Sequence, residues 1–507
     1  MTSPKSDKPD MSTTAGRLQD LRNRLEEAQA PVGLDAFEAT RAQGKATARD
    51  RVEKLLDEGS FVETDALARH RVEAYKMDRT KPPTDGVITG YGLIDGRRVC
   101  VFSQDATIFD GAVGEVYAEK VLKLYDLATK TGVPVVGIYD SVGPRVQEGV
   151  VAAAMQAKIL RAATQASGLI PQVAVVAGPT AGLSAAQIPL SDLVIMAAGA
   201  AVHLTDPAIV TKVSGSEATA DSLGGPAVHA NETGLAQLVA DTDIAAVELA
   251  RELIGYLPEN NRAASPVTAP AEIEAQDLNA FMPDDEAAAY DVHDVIAAVT
   301  DGDLLELGAA YADNVVTGFA HVGGRAVGVV ANQPSVLAGC LTDAAARKAA
   351  RFIRTCDAFN LPLLLFVDSP GFIPSAEEEH AGVVSGAAAL AYAFAEAQVG
   401  TVTVVTRKAL GASYAVMGSK FLGADLVFAW PTAQVALADA PTAAEALGTD
   451  AAKYAEENLN PYVATERGLV DSVIEPAQTR AQVLEALRLL ERKVVYPAMK
   501  KHGNIPL

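Results

Sequence analysis

Two kinds of turn in this sequence combine residue types that could do chemistry, and each kind occurs twice. The first follows an Asp-Ser pair, as DSVGPR at 140–145 and as DSPGFIP at 368–374. The second is a run of small residues between an apolar run and a helical stretch, at 178–184 and at 409–414. Such a strand-to-helix turn directs successive backbone N–H groups outward, which is the geometry of an oxyanion hole or an anion cradle. Close packing of a helix on a strand needs the same small residues, so one turn alone leaves both interpretations open.

Patterns for other chemistries are missing from the sequence. The three cysteines, Cys100, Cys340 and Cys356, are too widely spaced for a zinc cluster or a disulfide framework. There is neither a GxxxxGKS/T phosphate loop nor a GxSxG nucleophile elbow. The seven histidines are scattered, and no Ser/His/Asp or Cys/His set can be assembled. We therefore expect no metal site and two oxyanion holes, one for each copy of the second turn.

The elements that must position these turns occur as an internal duplication. Matching residues are separated by a nearly constant number of positions. The spacing is 228 for the aspartates of the two Asp-Ser pairs, 229 for Ser184 and Ser413, and 233 for Asp192 and Asp425. A constant offset over about a hundred residues predicts two copies of one fold. Because the turns recur with the repeat, the duplication favours a functional role for them.

Each copy alternates short Val- and Ile-rich runs with alanine-rich amphipathic stretches. The runs, such as VPVVGIYD and VAVVAG, predict buried strands, and the stretches at 114–132 and 343–359 predict helices. This alternation predicts an α/β fold of parallel strands with helical crossovers. Between the copies, residues 257–289 are rich in Pro, Asn and acidic residues and predict a linker. We expect a disordered N-terminus at 1–15, an N-terminal domain at 16–285 and a C-terminal domain at 286–507.

Composition narrows the class of partner and compartment. The 507 residues include 42 Lys and Arg against 64 Asp and Glu, a net charge of −22, which disfavours DNA or RNA as a partner. The polar N-terminus MTSPKSDKPDMSTT lacks the apolar core of a secretory signal. No apolar run reaches the length of a membrane span. We expect a cytoplasmic protein without a membrane span.

Motifs along nearly the whole chain resemble the carboxyltransferase β subunits of biotin-dependent acyl-CoA carboxylases, of the actinobacterial propionyl-CoA and long-chain type. The signatures are GKATARDRVEKLLDEGSFVE (44–63), DGVITGYGLIDGR (85–97), ASGLIPQ (166–172), YDVHDVI (290–296), VVANQP (329–334), AARFIRTCDAFNLPLLLFVDSPGF (349–372), YAVMGSK (414–420) and AWPTAQVA (429–436). The resemblance implies two tandem crotonase-like ββα-spiral domains. It also implies ring-shaped hexamers in which each active site lies between one chain's N-domain and another chain's C-domain.

The reaction implied by the resemblance moves a carboxyl group from carboxybiotin to the α-carbon of an acyl-CoA. Negative charge then develops on the biotin ureido oxygen and on the thioester oxygen, and each preorganised donor is worth about 3–4 kcal/mol. The freed biotin nitrogen can take the α-proton, so no protein base is required. By resemblance, Gly182, Leu183, Ala412 and Ser413 are the catalytic donors, Arg145, Gly178, Ser184 and Ala415 bind the acyl-CoA, and Gly371, Phe372, Gly411 and Tyr414 bind biotin.

The partners are also implied by the resemblance. The chain has no recognisable ATP-grasp region and no biotinyl domain, so a biotin carboxylase and carrier α subunit is expected to supply carboxybiotin, with no biotin attached to this chain. We expect a homo- or hetero-hexamer of β chains, which could include a second β paralogue and a small accessory subunit. The implied pathway is the synthesis of fatty-acid or mycolic-acid precursors.

The ligand-facing turns depart from the pattern of the family. This sequence has DSVGPR where the family usually has DSGGAR, and LGASY where it usually has YGGAY. Leu183 replaces the second glycine of the usual GPCAGGAVYSPA. Ser385 and Gly386 stand where a basic residue and a glycine are usual. Two alternatives follow: a catalytically weakened or inactive β paralogue in a mixed hexamer, and a biotin-independent crotonase-type acyl-CoA enzyme, which the preserved C-terminal signatures disfavour.

Overall fold

The computed structural model describes residues 8–271, 277–496 and 499–506. Its described residues form two compact units, Met1–His229 with Leu238–Glu252 and Ala230–Gln237 with Leu253–Leu507. Of the N-terminal segment expected to be disordered, residues 1–7 lie outside the described residues. The first helix begins at Thr14, where the side chain of Thr13 accepts a hydrogen bond from the Gly16 N–H. This N-cap makes the first helix start slightly earlier than the predicted limit at residue 15.

The first unit contains a mixed sheet in which a parallel core follows an antiparallel edge. Its strands are β1 (Val62–Thr64), β2 (Val87–Ile94), β3 (Arg97–Gln104), β4 (Val135–Ser141), β5 (Gln172–Ala181), β6 (Leu193–Ala197), β7 (Ala201–His203) and β8 (Leu238–Ala240). The strand order is β1-β2-β3-β4-β5-β6-β8, and β7 pairs with the carboxyl end of β5. The pairs from β1 to β3 are antiparallel and the others are parallel.

The second unit repeats this sheet strand for strand. Its strands are β9 (Leu305–Glu306), β10 (Val315–Val322), β11 (Arg325–Asn332), β12 (Leu363–Ser369), β13 (Thr401–Leu410), β14 (Leu426–Ala429), β15 (Gln434–Ala436) and β16 (Ser472–Val473). The order is β16-β14-β13-β12-β11-β10-β9, with β15 pairing with the carboxyl end of β13. The predicted internal duplication is therefore confirmed.

The helices connect and cover these strands. In chain order they are α1 (Thr14–Gln29), α2 (Leu34–Ala42), α3 (Ala48–Leu55), α4 (Glu115–Thr131), α5 (Val150–Ala166), α6 (Gly182–Gln187), α7 (Pro207–Ser214), α8 (Ala220–Gly224), α9 (Pro226–Asn231), α10 (Asp243–Tyr256), α11 (Val292–Val299), α12 (Asp343–Ala358), α13 (Ala376–Ala381), α14 (Val383–Glu396), α15 (Gly411–Val416), α16 (Ala440–Leu447), α17 (Ala451–Asn458), α18 (Pro461–Glu466) and α19 (Thr479–Leu490). The helices predicted at 114–132 and 343–359 are α4 and α12, each correct within one residue at both ends. Among the described residues, none of these helices is long and apolar enough to cross a membrane.

Burial explains why the central strands read as continuous apolar runs. Every residue of β4 and of β12 is buried, as expected for parallel strands covered on both faces. Each of these strands ends in an Asp-Ser pair, and in each the register against the next strand shifts at the aspartate. The carboxyl end of the parallel core is thus irregular at the same place in both units.

The compact units divide the chain earlier than the predicted domain limits of 16–285 and 286–507. The segment before residue 285 already pairs with the second sheet, because Val267 forms a bridge with Arg325 and the Ser265 hydroxyl donates to the Ala326 carbonyl at 2.6 Å. This Pro-rich segment has no periodic pattern, so its pairing was not visible in the sequence. Residues 272–276 of the predicted linker lie outside the described residues.

Candidate functional site

In the first unit, the candidate donor turn lies where β5 passes directly into α6. Gly182 is the first residue of α6 and has φ +60°, a conformation that glycine adopts without strain. Leu183 follows with an ordinary helical φ, so a side chain at this position causes no backbone strain. The Leu183 side chain is partly exposed, and its N–H remains a possible donor.

The second unit builds the same turn where β13 passes into α15. Gly411 has φ +57°, and a Cβ at this position would lie 3.1 Å from the Leu437 carbonyl oxygen. Ala412 is exposed, whereas the side chain of Ser413 is fully buried. The small residues therefore leave the backbone accessible on one side while packing closely on the other.

Both turns leave backbone N–H groups available for an anion. The first N–H groups of a helix have no intrahelical acceptor. Among the described residues, no side chain caps α6 at Ala181 or α15 at Leu410, in contrast to α12, which Thr342 caps. The N–H groups of Gly182 and Leu183 and those of Ala412 and Ser413 thus belong to uncapped first turns.

The two kinds of turn found in the sequence lie together within each unit. In the first, a Cβ at Gly143 would lie 3.0 Å from the Ala181 carbonyl, and one at Gly182 would lie 3.6 Å from Pro144 Cδ. In the second, the Ser413 hydroxyl donates to the Ser369 carbonyl at 3.1 Å. The Asp-Ser turn therefore forms one wall of each donor turn.

Arg145 does not lie on the open face of its turn. Its side chain is fully buried, and Nη1 donates to Asp85 at 2.7 Å and to Glu148 at 3.0 Å. Its guanidinium also lies 4.8 Å from the centre of the Phe109 ring. A direct contact between this guanidinium and acyl-CoA would break a buried ion pair. The predicted contact of Arg145 with acyl-CoA stays a prediction, while the observed contacts of its side chain are with the protein.

Gly178 and Ser184 also lie behind the donors. A Cβ at Gly178 would lie only 2.2 Å from a carboxylate oxygen of Asp140, so glycine is required there to make room for that side chain. The buried Ser184 hydroxyl accepts a hydrogen bond from Gln156 at 2.7 Å. Their predicted contact with acyl-CoA stays a prediction, while their observed contacts are with the protein.

Of the residues predicted to bind biotin, Gly411 and Tyr414 lie in the strand-to-helix turn of the second unit, and Gly371 and Phe372 lie in the 368–374 turn. Gly371 has φ +153°, and a Cβ there would meet no atom within 4 Å, so open space lies beside it. Phe372 is partly buried and bridges Leu341, and Tyr414 is partly buried, which raises the pKa of its hydroxyl. Ala415, predicted to tune the acyl pocket, is exposed one residue later.

The buried charges beneath the two turns were missed by the sequence analysis. Asp140 pairs with Arg51 at 3.1 Å and Asp368 pairs with Arg407 at 2.9 Å. The repeat marked both aspartates but gave no signal for their partners, which come from different elements. Within the described residues, no group of three or more His, Cys, Asp or Glu side chains could hold a metal ion.

Comparisons with known proteins agree over nearly the full chain. The model of the carboxyl transferase domain family matches residues 39–505. The biotin-dependent acetyl-/propionyl-coenzyme A carboxylase beta5 subunit of Mycobacterium tuberculosis (strain CDC 1551 / Oshkosh) is 47% identical, covering 98% of this chain and 96% of its own. The propionyl-CoA carboxylase beta chain of Saccharopolyspora erythraea is 46% identical, covering 99% of this chain and 98% of its own.

The fold is also that of a solved carboxyltransferase. The structure of transcarboxylase 12S with hydrolysed methylmalonyl-coenzyme A bound, described as a hexamer assembly, superposes with a TM-score of 0.95 at 42% identity, covering 98% of this chain and 99% of that chain. The predicted α/β fold of two tandem crotonase-like domains is confirmed by this match and by the repeated sheets. With the family model matched from residue 39 to residue 505, this chain belongs to the carboxyl transferase family, as a carboxyltransferase of the acyl-CoA carboxylase β-subunit type.

Proposed function

We propose that this chain transfers a carboxyl group from carboxybiotin to the α-carbon of an acyl-CoA, as the β subunit of an acyl-CoA carboxylase complex. One observation carries the proposal: an uncapped helix N-terminus that begins with a positive-φ glycine occurs in each unit, at Gly182 and at Gly411. Two donor sites fit a reaction in which two separate oxygen atoms become negatively charged.

In the first unit, the N–H groups of Gly182 and Leu183 would donate to the thioester oxygen of acyl-CoA. The negative charge on that oxygen grows as the α-proton leaves, so fixed donors stabilise the transition state more than the ground state. Each donor of this kind is worth about 3–4 kcal/mol. The buried Arg145 would keep the neighbouring 140–145 turn in place rather than take part directly.

In the second unit, the N–H groups of Ala412 and Ser413 would donate to the ureido oxygen of biotin. Carboxybiotin supplies the carboxyl group when bound, and its ring provides the acceptor for the α-proton. The residues present fit a flat, small ring system, because Ala412 is exposed and open space lies beside Gly371. No side-chain base is needed under this proposal.

The assembly is part of the proposal. Carboxybiotin would arrive on a biotin carboxylase and carrier α subunit. The hexamer described for the transcarboxylase 12S structure supports a hexamer of β chains here. In that assembly the acyl-CoA turn of one chain would meet the biotin turn of another, with a second β paralogue or a small accessory subunit as further members. Such a complex would work in the cytoplasm.

Leu183 is the observation that favours a second candidate, a catalytically weakened β chain within a mixed hexamer. Its side chain stands where the family usually has glycine. Its ordinary φ argues for the active enzyme, since the backbone donor is kept without strain. The side chain then acts on the shape of the acyl site rather than on the donors.

The deciding experiment measures ATP- and acyl-CoA-dependent fixation of labelled bicarbonate, with this chain as the sole β subunit beside its α subunit. We expect fixation with short or long acyl-CoAs, and Ala412→Trp should abolish it while leaving the oligomer intact. No fixation until a second β chain is added would instead support the weakened paralogue. Fixation that survives Ala412→Trp would contradict the assignment of the biotin turn.

A further inference from the structure

A buried aspartate lies at the same bulge in each sheet. The register of β4 against β5 shifts between Tyr139 and Ser141, which places Asp140 at the bulge. The register of β12 against β13 shifts between Val367 and Ser369, which places Asp368 at the equivalent point. Both carboxylates are buried, and a buried charge persists only where partners compensate its lost hydration. The bulge aims each side chain at the strand that carries the donor turn.

In the first unit, Asp140 is compensated by an arginine from a distant helix. Arg51 of α3 donates from Nη1 to Asp140 at 3.1 Å and from Nε to Asp243 at 2.9 Å. The Asp140 carboxylate lies against the backbone of β5 at Gly178, four residues before the donor turn begins. Burial raises the pKa of Asp140, while Arg51 acts in the opposite direction.

In the second unit, the compensating arginine comes from the donor strand itself. Arg407 of β13 donates from Nε to Asp368 at 2.9 Å, and the Lys408 N–H donates to the other carboxylate oxygen at 3.0 Å. Arg407 occupies the position that matches Gly178 at the 229-residue spacing. The two units therefore keep the carboxylate in one place and supply its counter-charge from different places. The buried carboxylate is therefore common to both units, whereas the arginine that pairs with it is not.

The serine that follows each aspartate holds the other side of the turn. The Ser141 and Ser184 hydroxyls lie 3.3 Å apart, and Ser184 is the third residue of α6. In the second unit, the Ser413 hydroxyl donates to the Ser369 carbonyl at 3.1 Å, and Ser413 is the third residue of α15. Each Asp-Ser pair thus contacts the strand before the donors through the aspartate and the helix after them through the serine.

We propose that the two Asp-Ser pairs are positioning residues, Asp140-Ser141 for the donors that bind acyl-CoA and Asp368-Ser369 for the donors that bind biotin. The inference rests on the proposed function for the identity of the two ligands. Because each pair contacts the donor turn of its own unit, disturbing one pair changes the recognition of one substrate and leaves the other unchanged. A residue needed merely for folding would not separate the substrates in this way.

The matched variants are Ser184→Ala and Ser413→Ala, which remove one buried hydroxyl each and keep every backbone N–H. The assay is the reverse transfer, in which the free carboxylate of methylmalonyl-CoA moves to the ring nitrogen of free biotin and propionyl-CoA forms. We expect Ser413→Ala to raise the KM for biotin about tenfold, with the KM for methylmalonyl-CoA within about twofold, since small displacements of aligned groups are costly. Ser184→Ala should show the opposite pattern.

A second pair of variants keeps the inference testable if a buried charge is needed for folding. Asp368→Asn leaves Arg407 unpaired, whereas Asp368→Asn with Arg407→Met removes both charges and should restore the folded oligomer. The double variant is expected to keep the raised KM for biotin. A fall in kcat is expected beside the raised KM, because the donors also stabilise the transition state. An equal rise in both KM values, or a rise in the KM for methylmalonyl-CoA alone, would overturn the positioning role.

Failure of the proposed function is recognised separately. Binding of free biotin and of propionyl-CoA to the same variants, measured by calorimetry, gives the same discrimination without turnover. If the wild-type chain binds both ligands but transfers no carboxyl group, the proposed function is wrong. The variants still test the positioning role, because it predicts which of the two dissociation constants changes in each variant. Unchanged dissociation constants for both ligands would overturn it.

Discussion

At the scale of single residues, the donor turns depend on glycines whose surroundings differ. Gly182 and Gly411 share nearly the same positive φ, at +60° and +57°. A Cβ at Gly182 would meet Pro144 Cδ at an ordinary 3.6 Å, while one at Gly411 would lie 3.1 Å from a backbone oxygen. An alanine at Gly182 would therefore have only a conformational cost, whereas an alanine at Gly411 would have a conformational and a steric cost.

We predict that Gly411→Ala destabilises the protein more than Gly182→Ala. The left-handed conformation costs an L-residue about 1–2 kcal/mol at either site, and at Gly411 the Leu437 carbonyl must also move. Urea denaturation of the two variants measures the difference. The control is Gly255→Ala in α10, where a Cβ meets nothing within 4 Å; it should be neutral or stabilise by up to about 1 kcal/mol. Equal losses at Gly182 and Gly411 would contradict the steric argument.

Leu183 is predicted to limit access of the thioester to the first donor turn. Leu183→Gly should lower the KM for acyl-CoA, because it removes a partly exposed side chain from the residue whose N–H is the proposed donor. Glycine costs about 1 kcal/mol in a helix, so Leu183→Ala serves as the matched variant that shortens the side chain while keeping helix propensity. Steady-state kinetics with propionyl-CoA and longer acyl-CoAs measure both. Identical KM values in all three proteins would show that the side chain points away from the substrate.

At the scale of elements, the sequence predicted the repeated strands and helices, but it did not predict the buried ion pairs next to the turns. Apolar runs and amphipathic stretches placed β4, α4 and α12 to within one or two residues, because their burial is periodic or complete. The partner of Asp140 is Arg51, which lies 89 positions away in α3, and no local sequence pattern predicts this pair. Long-range pairs of this kind are decided by tertiary packing. The sequence therefore located the two strand-to-helix turns but not the buried ion pairs beside them.

A histidine between two carboxylates makes the stability of the contact between α11 and β9 depend on pH. His293 lies between Glu306 and Asp291, at 3.0 Å from Nε2 and 2.6 Å from Nδ1. The hydrogen bond with Glu306, and then that with Asp291, raise the pKa of His293 from 6.5 to about 9 against the effect of burial. Since the folded protein keeps this proton more tightly than the unfolded chain, the stabilisation is complete below pH 6.5 and is lost as the pH rises through 9.

We predict that His293→Gln loses stability relative to wild type at neutral pH and converges with it above pH 9. The side chain is 39% exposed, so solvent screening limits the effect to about 1 kcal/mol or less. The difference in melting temperature between wild type and variant, followed from pH 6 to pH 10, isolates this contribution from other titrating groups. His380→Gln, on the exposed surface of α13, is the control. A difference that does not change with pH would exclude the proposed ion pairs.

At the scale of the whole molecule, duplication supplies two donor sites with separate supports. Two lysines 228 residues apart, the buried Lys120 and the partly buried Lys348, also match between the units. Lys120 donates to the Thr84 carbonyl and Lys348 to the Gly308 carbonyl, and desolvation lowers the pKa of both to about 8. The resemblance to the family assigned acyl-CoA to one copy and biotin to the other. If each active site joins the first half of one chain to the second half of another, a defect in one half can be compensated by a neighbouring chain.

This arrangement predicts complementation between two inactive variants. Leu183→Trp should block only the acyl-CoA turn and Ala412→Trp only the biotin turn, so each variant alone should be inactive while still assembling. In oligomers formed from equal amounts of both variants, each of the two turns at a site is intact in about half of the cases. Random pairing therefore leaves both turns intact in about a quarter of the sites. Labelled bicarbonate fixation by the mixed oligomers, purified through two different affinity tags, should therefore recover about a quarter of wild-type activity. If both turns of a site came from the same chain, every site in the mixture would carry one blocked turn, and mixing would restore nothing.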